Sequence, residues 1–217
     1  MQIVDNLQAF IWRNPQANNC NTYLIQGEKN LLIDPGHFHL FDYVRIGLAD
    51  LGLTIEQIDL VIVTHGHPDH LEAAAILKKP TLLAISGAEA AFINEWTAQY
   101  GGNTRYDFQA DFFLQEGDLN VRNRFFRVLE TPGHSPGSIC LYWPEEKALF
   151  TGDVIFDQGI GRTDLPGGDG PLLKESIRKL AALDVEYLLS GHGEVIKGSR
   201  AVRDNFKRIE DYWFKYL

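Results

Sequence analysis

The sequence predicts an α/β protein in which two mixed β-sheets pack face to face with helices on the outside. Three observations predict it. Strand-like and helix-like segments alternate in the first half, short strands separated by turns fill the middle, and alternation returns at the end. One run, "IDLVIVTH", is continuously apolar and β-branched, as expected of a strand buried on both faces. No repeat, low-complexity tract or linker-like stretch divides the chain, so residues 1–217 are expected to form a single domain.

The elements follow in order. "NTYLIQ" and "NLLIDPG" read as short extended segments, the second closed by a Pro-Gly turn. "LFDYVRIGLADLG" has helical periodicity, and its Gly52 suits a helix C-terminus. After the buried strand, "LEAAAILKK" predicts a helix stopped by Pro80, "TLLAIS" a strand and "GAEAAFINEWTAQY" a helix. "GDLNV", "FFRVLETPGH", "SICLYW" and "ALFTGDVIF" predict an antiparallel portion. Helix "PLLKESIRKLAAL", strand "VEYLLSGHG" and helix "SRAVRDNFKRIEDYWFKYL" complete the chain.

Composition narrows the function. Hydrophobic content of 45% and charged content of 23% are those of an ordinary globular chain. At 217 residues it buries a substantial core without help from disulfides or a structural metal, so a bound metal would be there for chemistry. A formal charge of −9 argues against a nucleic-acid partner. The start, "MQIVDNLQAF", does not read as a signal peptide, and no apolar run approaches the roughly 20 residues that span a bilayer. A cytoplasmic protein with no membrane partner is expected. Cys20 and Cys140 are expected as inert core thiols, although one disulfide between them stays open.

The chemistry is concentrated at strand ends. Of seven histidines, three fall with an aspartate inside "THGHPDH". Further His and Asp residues close "VLETPGH", "LFTGD" and "YLLSGHG". If these strands end on one edge, His65, His67, Asp69, His70, His134, Asp153 and His192 converge there. Imidazole and carboxylate donors of this kind suit zinc, iron or manganese. His65 and His67 project to one face of extended backbone, and Pro68 then turns Asp69 and His70 elsewhere. The cluster can feed two metals, with Asp153 as the bridging carboxylate and a shared water ionised between them. Each residue alone has a plainer role: Asp69, with Glu72, as a helix cap, His134 and His192 as turn residues, Asp153 as a strand end. Their joint occurrence favours the metal site.

"THGHPDH", "TPGHSPGS", "FTGD" and "SGHG" resemble, in order, the metal-binding motifs of the metallo-β-lactamase-fold hydrolases, over roughly residues 20 to 195. The resemblance implies a four-layer αββα sandwich. It implies one metal on His65, His67 and His134, a second on Asp69, His70 and His192, and Asp153 bridging. The two divalent ions are expected to be zinc, with iron or manganese as alternatives. Asp69 and Asp153 are the expected catalytic carboxylates.

The loop "DQGIGRTDLPGGDG" resembles the substrate loop of the short glyoxalase II-like hydrolases, which cleave thioesters such as S-D-lactoylglutathione. Arg162 is its one cation, suited to a substrate carboxylate or to an ion pair with Asp164 or Asp169. Two departures bear on glutathione as the carrier: Asp164 stands where the family shows an aromatic, and only one helix follows His192. Lys207, Arg208 and Lys215 could assist, or form the solvated face of that helix. The alternatives are a mononuclear iron persulfide dioxygenase on His65, His134 and Asp153, which "GRTD" also resembles, and a lactonase or β-lactamase-type hydrolase. A small-molecule substrate is expected, and a homodimer is open.

Asp34 is expected to orient a site group rather than bind metal. Thr64 is expected to pack within its strand, and His37 and His39 to lie at the surface. Trp12, Trp96, Tyr100, Tyr106 and Phe108 read as core before they read as pocket wall. Trp213, Phe214 and Tyr216 could pack the last helix or support a dimer contact.

Overall fold

Side chains buried along entire strands set the architecture. In a computed structural model that describes residues 1–100 and 109–217, the chain falls into two units, Met1–Leu114 and Gln115–Leu217. The first holds a seven-stranded sheet in chain order: β1 (Gln2–Val4), β2 (Leu7–Phe10), β3 (Thr22–Ile25), β4 (Leu31–Ile33), β5 (Leu60–Ile62), β6 (Leu82–Ser86) and β7 (Phe112–Leu114). Neighbours from β1 to β4 are antiparallel and those from β4 to β7 parallel. The parallel strands β4 and β5 are buried throughout, as the apolar run at 58–63 predicts.

The parallel pairs need crossovers, and helices supply them. α1 (Asp42–Asp50) joins β4 to β5, α2 (Pro68–Leu71) lies between β5 and β6, and α3 (Gly87–Tyr100) follows β6. Leu24, Leu32, Val61, Val63 and Ile85 of the sheet form one core with Phe41, Val44 and Leu48 around α1. α1 ends as its sequence predicts. Gly52 takes φ +72° and donates to Ala49 O, while Leu53 N donates to Leu48 O, both at 2.9 Å. That pair of bonds is the αL helix stop that glycine favours.

The helix predicted over "LEAAAILKK" is only partly present. α2 stops at Leu71 and a 3₁₀ segment covers Glu72–Ile76. The cause is a competing acceptor: Ala73 N donates to Gly36 O at 2.8 Å, outside the helical ladder, and the turn tightens.

The second unit has a six-stranded sheet ordered β15-β14-β11-β10-β9-β8. Its strands are β8 (Gly117–Val121), β9 (Arg124–Glu130), β10 (Ile139–Trp143), β11 (Ala148–Gly152), β14 (Tyr187–Ser190) and β15 (Ile196–Lys197). A separate hairpin pairs β12 (Ile155–Phe156) with β13 (Gly159–Ile160). All neighbours are antiparallel except β11 and β14, and α4 (Gly170–Ala181) makes that crossover. α4 opens on Asp169, whose side chain accepts from Leu172 N at 2.9 Å. It buries Leu173, Ser176, Ile177 and Leu180, and α5 (Ser199–Tyr212) buries Val202, Asn205, Phe206 and Ile209. Both sets have the spacing of one helical face. Their apolar members form the second core with Cys140, Leu149, Leu188 and Phe214.

Cys20 and Cys140 are buried thiols, and no disulfide joins them. Trp96 is 40% exposed rather than core. Tyr106 and Phe108 lie outside the described residues, as does the Tyr100 side chain. No helix among the described residues is long and apolar enough to cross a membrane. Ile209→Ala empties a fully buried position of the second core and is expected to cost about 2–5 kcal/mol, read as a lower urea midpoint at unchanged slope.

Candidate metal-binding site

In the first unit, β5 leads through Val63 and Thr64 to His65, which is fully buried. His67 caps α2 from extended backbone (φ −68°, ψ 146°), with Pro68 as the first helical residue, where proline's missing N–H costs nothing. The His65 ring lies edge-on to His67 at 4.8 Å and 4.1 Å from that of His70. His70 Nε2 is 4.0 Å from Asp69 Oδ2. Asp69 does not cap the helix. It sits inside the first turn, and its Oδ2 accepts from Asn18 Nδ2 at 2.7 Å. The four donors of "HGHPDH" therefore occupy one small volume of this unit.

One carboxylate orients two of these rings. Asp34 is 2% exposed and takes φ +53°, a left-handed conformation that aspartate tolerates better than most residues. Its Oδ1 accepts from Thr64 N at 2.8 Å, and its Oδ2 accepts from Thr64 Oγ1 at 2.8 Å and from His70 Nδ1 at 2.9 Å. With its hydroxyl proton committed to Asp34, Thr64 Oγ1 is left as acceptor for His65 Nδ1 at 3.1 Å. Both imidazoles thus carry the proton on Nδ1 and keep the Nε2 lone pair for a cation. Asp34 has the orienting role its sequence suggests. Thr64 is a polar relay and not simply strand packing.

Two further buried residues of this unit, Glu89 and Asn19, were not recognised in the sequence. Glu89, 1% exposed on α3, accepts from Gly66 N at 2.7 Å, fixing the turn between His65 and His67. A Cβ on Gly66 would lie 2.4 Å from the Ile93 side chain, so any larger residue there requires Ile93 to shift. Asn19 accepts from His37 N at 2.8 Å. Neither residue carries a local signal: Glu89 reads as an ordinary acid in a helix's first turn, and the asparagines as loop polarity.

The second unit gathers the other three donors. His134 follows β9, Asp153 follows β11 and His192 follows β14. Asp153 Oδ2 lies 3.6 Å from His134 Nε2 and 3.3 Å from His192 Nε2. Donors sharing a tetrahedral ion at ordinary bond lengths stand roughly 3.4 Å apart, so Asp153 is spaced to share an ion with His134 and an ion with His192. His134 Nδ1 donates to the carbonyl of Arg162 at 2.7 Å. A carbonyl only accepts, so Nδ1 holds the proton and Nε2 faces Asp153 as a lone pair. The β11 and β14 ends are tied by Gly191 N donating to Gly152 O at 2.8 Å. His192 rests edge-on against Phe156, 5.7 Å between ring centres.

Arg162 plays two parts. Its carbonyl holds His134, while its exposed guanidinium grips Asp164 in a fork at 2.7 and 2.8 Å. The hydrogen bond from Arg162 lowers the Asp164 carboxyl to a pKa of about 2, so the pair stays ionised. The loop's approach is close: a Cβ on Gly161 would fall 1.8 Å from Asp153 O. The hairpin leading to it is pinned by Asn205 of α5, which accepts from Gln158 N at 2.8 Å and donates to Phe156 O at 2.9 Å. Trp213 Nε1 donates to Gln158 O at 2.9 Å. Arg208 hydrogen-bonds the Gln158 side chain, and Lys215 lies over the rings of Tyr212 and Tyr216, 4.9 Å from each centre.

Comparison with known proteins identifies the family. Residues 15–192 match the metallo-beta-lactamase superfamily. A probable metallo-hydrolase of Methanocaldococcus jannaschii is 34% identical over 84% of this chain and 91% of its own. The hydroxyacylglutathione hydrolase GloC of Haemophilus influenzae is 35% identical over 86% of this chain and 91% of its own. Among solved structures, TTHA1623 in a di-iron-bound form is 29% identical, with a TM-score of 0.69 over 85% of this chain and 91% of that one.

Asp34→Asn is expected to destabilise the fold by about 1–3 kcal/mol, because an amide, whichever way it turns, points its NH₂ at a donor now bonded to Asp34. Urea unfolding of the two proteins measures this.

Proposed function

Since the chain belongs to the metallo-beta-lactamase superfamily, we propose that it is a dinuclear, metal-dependent hydrolase of small acyl thioesters, of the S-D-lactoylglutathione type. The single observation that carries the thioester is the 35% identity over 86% of the chain to a protein named hydroxyacylglutathione hydrolase. In this reading one ion is held by His65, His67 and His134, the other by Asp69, His70 and His192, and Asp153 serves both, as the resemblance of the motifs implies. Zinc is the proposed metal. The donor chemistry supports it, being imidazole nitrogen and carboxylate oxygen with no thiolate.

When bound, such ions polarise the scissile carbonyl and lower the pKa of the attacking water. The protein's part is placement. Asp34 and Thr64 hold the rings of His70 and His65 with Nε2 outward, and Arg162 O does so for His134. Asp69 and Asp153 supply the negative charge that offsets two cations. The Arg162 guanidinium, 61% exposed, is the proposed partner of a substrate carboxylate. Asp164 competes for the same fork, so substrate would exchange one carboxylate for another.

Zinc-loaded protein is expected to hydrolyse S-D-lactoylglutathione, and protein stripped of metal is not. Asp153→Asn should lose zinc and more activity than the roughly 10–100-fold that changes behind a ligand cost. Full hydrolysis by metal-free protein overturns the proposal. For the loop, Arg162→Ala should raise KM about five- to tenfold for carboxylate-bearing thioesters with kcat little changed. Asp164→Asn, which releases the guanidinium, should lower KM. Steady-state kinetics with paired charged and uncharged acyl thioesters reads both.

A further inference from the structure

His37, His39 and Glu72 form a second group of metal-type donors that the family's ligand pattern leaves unused. All three belong to the first unit. One donor atom from each lies within 4.8 Å of the other two. His37 Nδ1 and Glu72 Oε2 are already 2.7 Å apart, and the two imidazole rings are 5.0 Å apart at 44°. The positions that carry them are braced. Glu72 begins the 3₁₀ segment after α2, and His39 sits in a one-turn 3₁₀ helix, Phe38–Leu40. Between these turns run two backbone bonds, Gly36 N to His70 O at 3.3 Å and Ala73 N to Gly36 O at 2.8 Å. Gly36 takes φ +90°, and a Cβ there would meet Asn19 Oδ1 at 2.8 Å, so the bend aiming His37 at Glu72 depends on glycine.

We propose that His37, His39 and Glu72 bind one divalent transition-metal ion, separate from the ions of the hydrolytic site. Two imidazole nitrogens and one carboxylate oxygen suit zinc, nickel, copper or cobalt better than magnesium or calcium, which take oxygen ligands. Donors around such an ion stand roughly 3.4 Å apart, so His39 must close in, and the 2.7 Å hydrogen bond between His37 and Glu72 must open as the ion replaces its proton. His39, on the exposed turn, is the member able to rotate inward. His37 and Glu72 have side chains only 17% and 29% exposed, which limits the entropy lost on closing the set. The remaining coordination positions face solvent and take water. Since Ala73 and Gly36 already join the two turns, the ion would clamp the 36–40 loop to the segment carrying Asp69 and His70.

The test is zinc stoichiometry of the untagged full chain, dialysed to equilibrium against saturating zinc. Wild type should hold one equivalent more than His39→Ala and one more than His37→Ala/His39→Ala. His39 is exposed, so its removal leaves the core intact, and matched unfolding midpoints of the stripped proteins check that. The same difference of one equivalent should persist in an Asp153→Asn background, which separates this site from the success or failure of the hydrolytic reading. Cobalt replacing zinc should give a visible absorption band that His39→Ala diminishes. Equal zinc content in wild type and both variants overturns the proposal and leaves His37–Glu72 as a plain hydrogen-bonded pair.

Discussion

The buried carboxylate of Asp34 is the interaction on which the metal-type donors of the first unit depend. It stands at the end of β4, in backbone that few side chains tolerate, and there accepts three hydrogen bonds from Thr64 and His70. Through Thr64 it reaches His65 as well. One acid therefore sets the tautomer and tilt of two imidazoles from different parts of a turn. A buried acceptor with unmet donors around it would cost about 1–3 kcal/mol for each lost bond, so the network is either complete or expensive. Completeness makes the geometry specific: His65 and His70 cannot rotate without leaving Thr64 or Asp34 unsatisfied.

The second unit reaches the same end by other means. Behind His134 stands a main-chain carbonyl, that of Arg162. That carbonyl lies in a loop, and loops are poor supports unless anchored. The anchors are remote in sequence. Asn205 and Trp213, on and just after α5, hold the β12–β13 hairpin by its backbone. The apolar face of α5 in turn is fixed by Val202, Phe206 and Ile209 in the second core. Hydrophobic burial in a terminal helix is thus converted, through two hydrogen-bonded steps, into the orientation of a metal-type ligand.

These differences explain what could be read from the chain. Strand ends carrying His or Asp were legible because the chemistry repeats: "HGHPDH", "TPGH", "TGD" and "SGHG" each place a donor directly after an apolar run. Asp34 was legible from the strand-end Asp-Pro-Gly. Glu89, Asn19 and Asn205 were not, because a buried side chain that hydrogen-bonds a distant backbone group leaves no periodicity in its own segment. The helix predicted over "LEAAAILKK" failed for the same kind of reason. Its propensity is good, but Gly36 O, far away in sequence, captures the N–H of Ala73. Local pattern identified the donors; long-range polar contacts decided how they are held.

Arg162 shows how such a site can keep its metal geometry while its substrate changes. The backbone of this residue holds His134, and its side chain points away to solvent and Asp164. Gly161 beside it packs too closely on Asp153 to accept any side chain, so the path of the main chain is fixed. The guanidinium has no such constraint, being exposed and paired with Asp164 of its own loop. Substitution at Arg162 or Asp164 can therefore alter charge at the proposed substrate position without moving the carbonyl that orients the histidine. That separation of backbone duty from side-chain duty is a physical route by which one donor set serves different substrates.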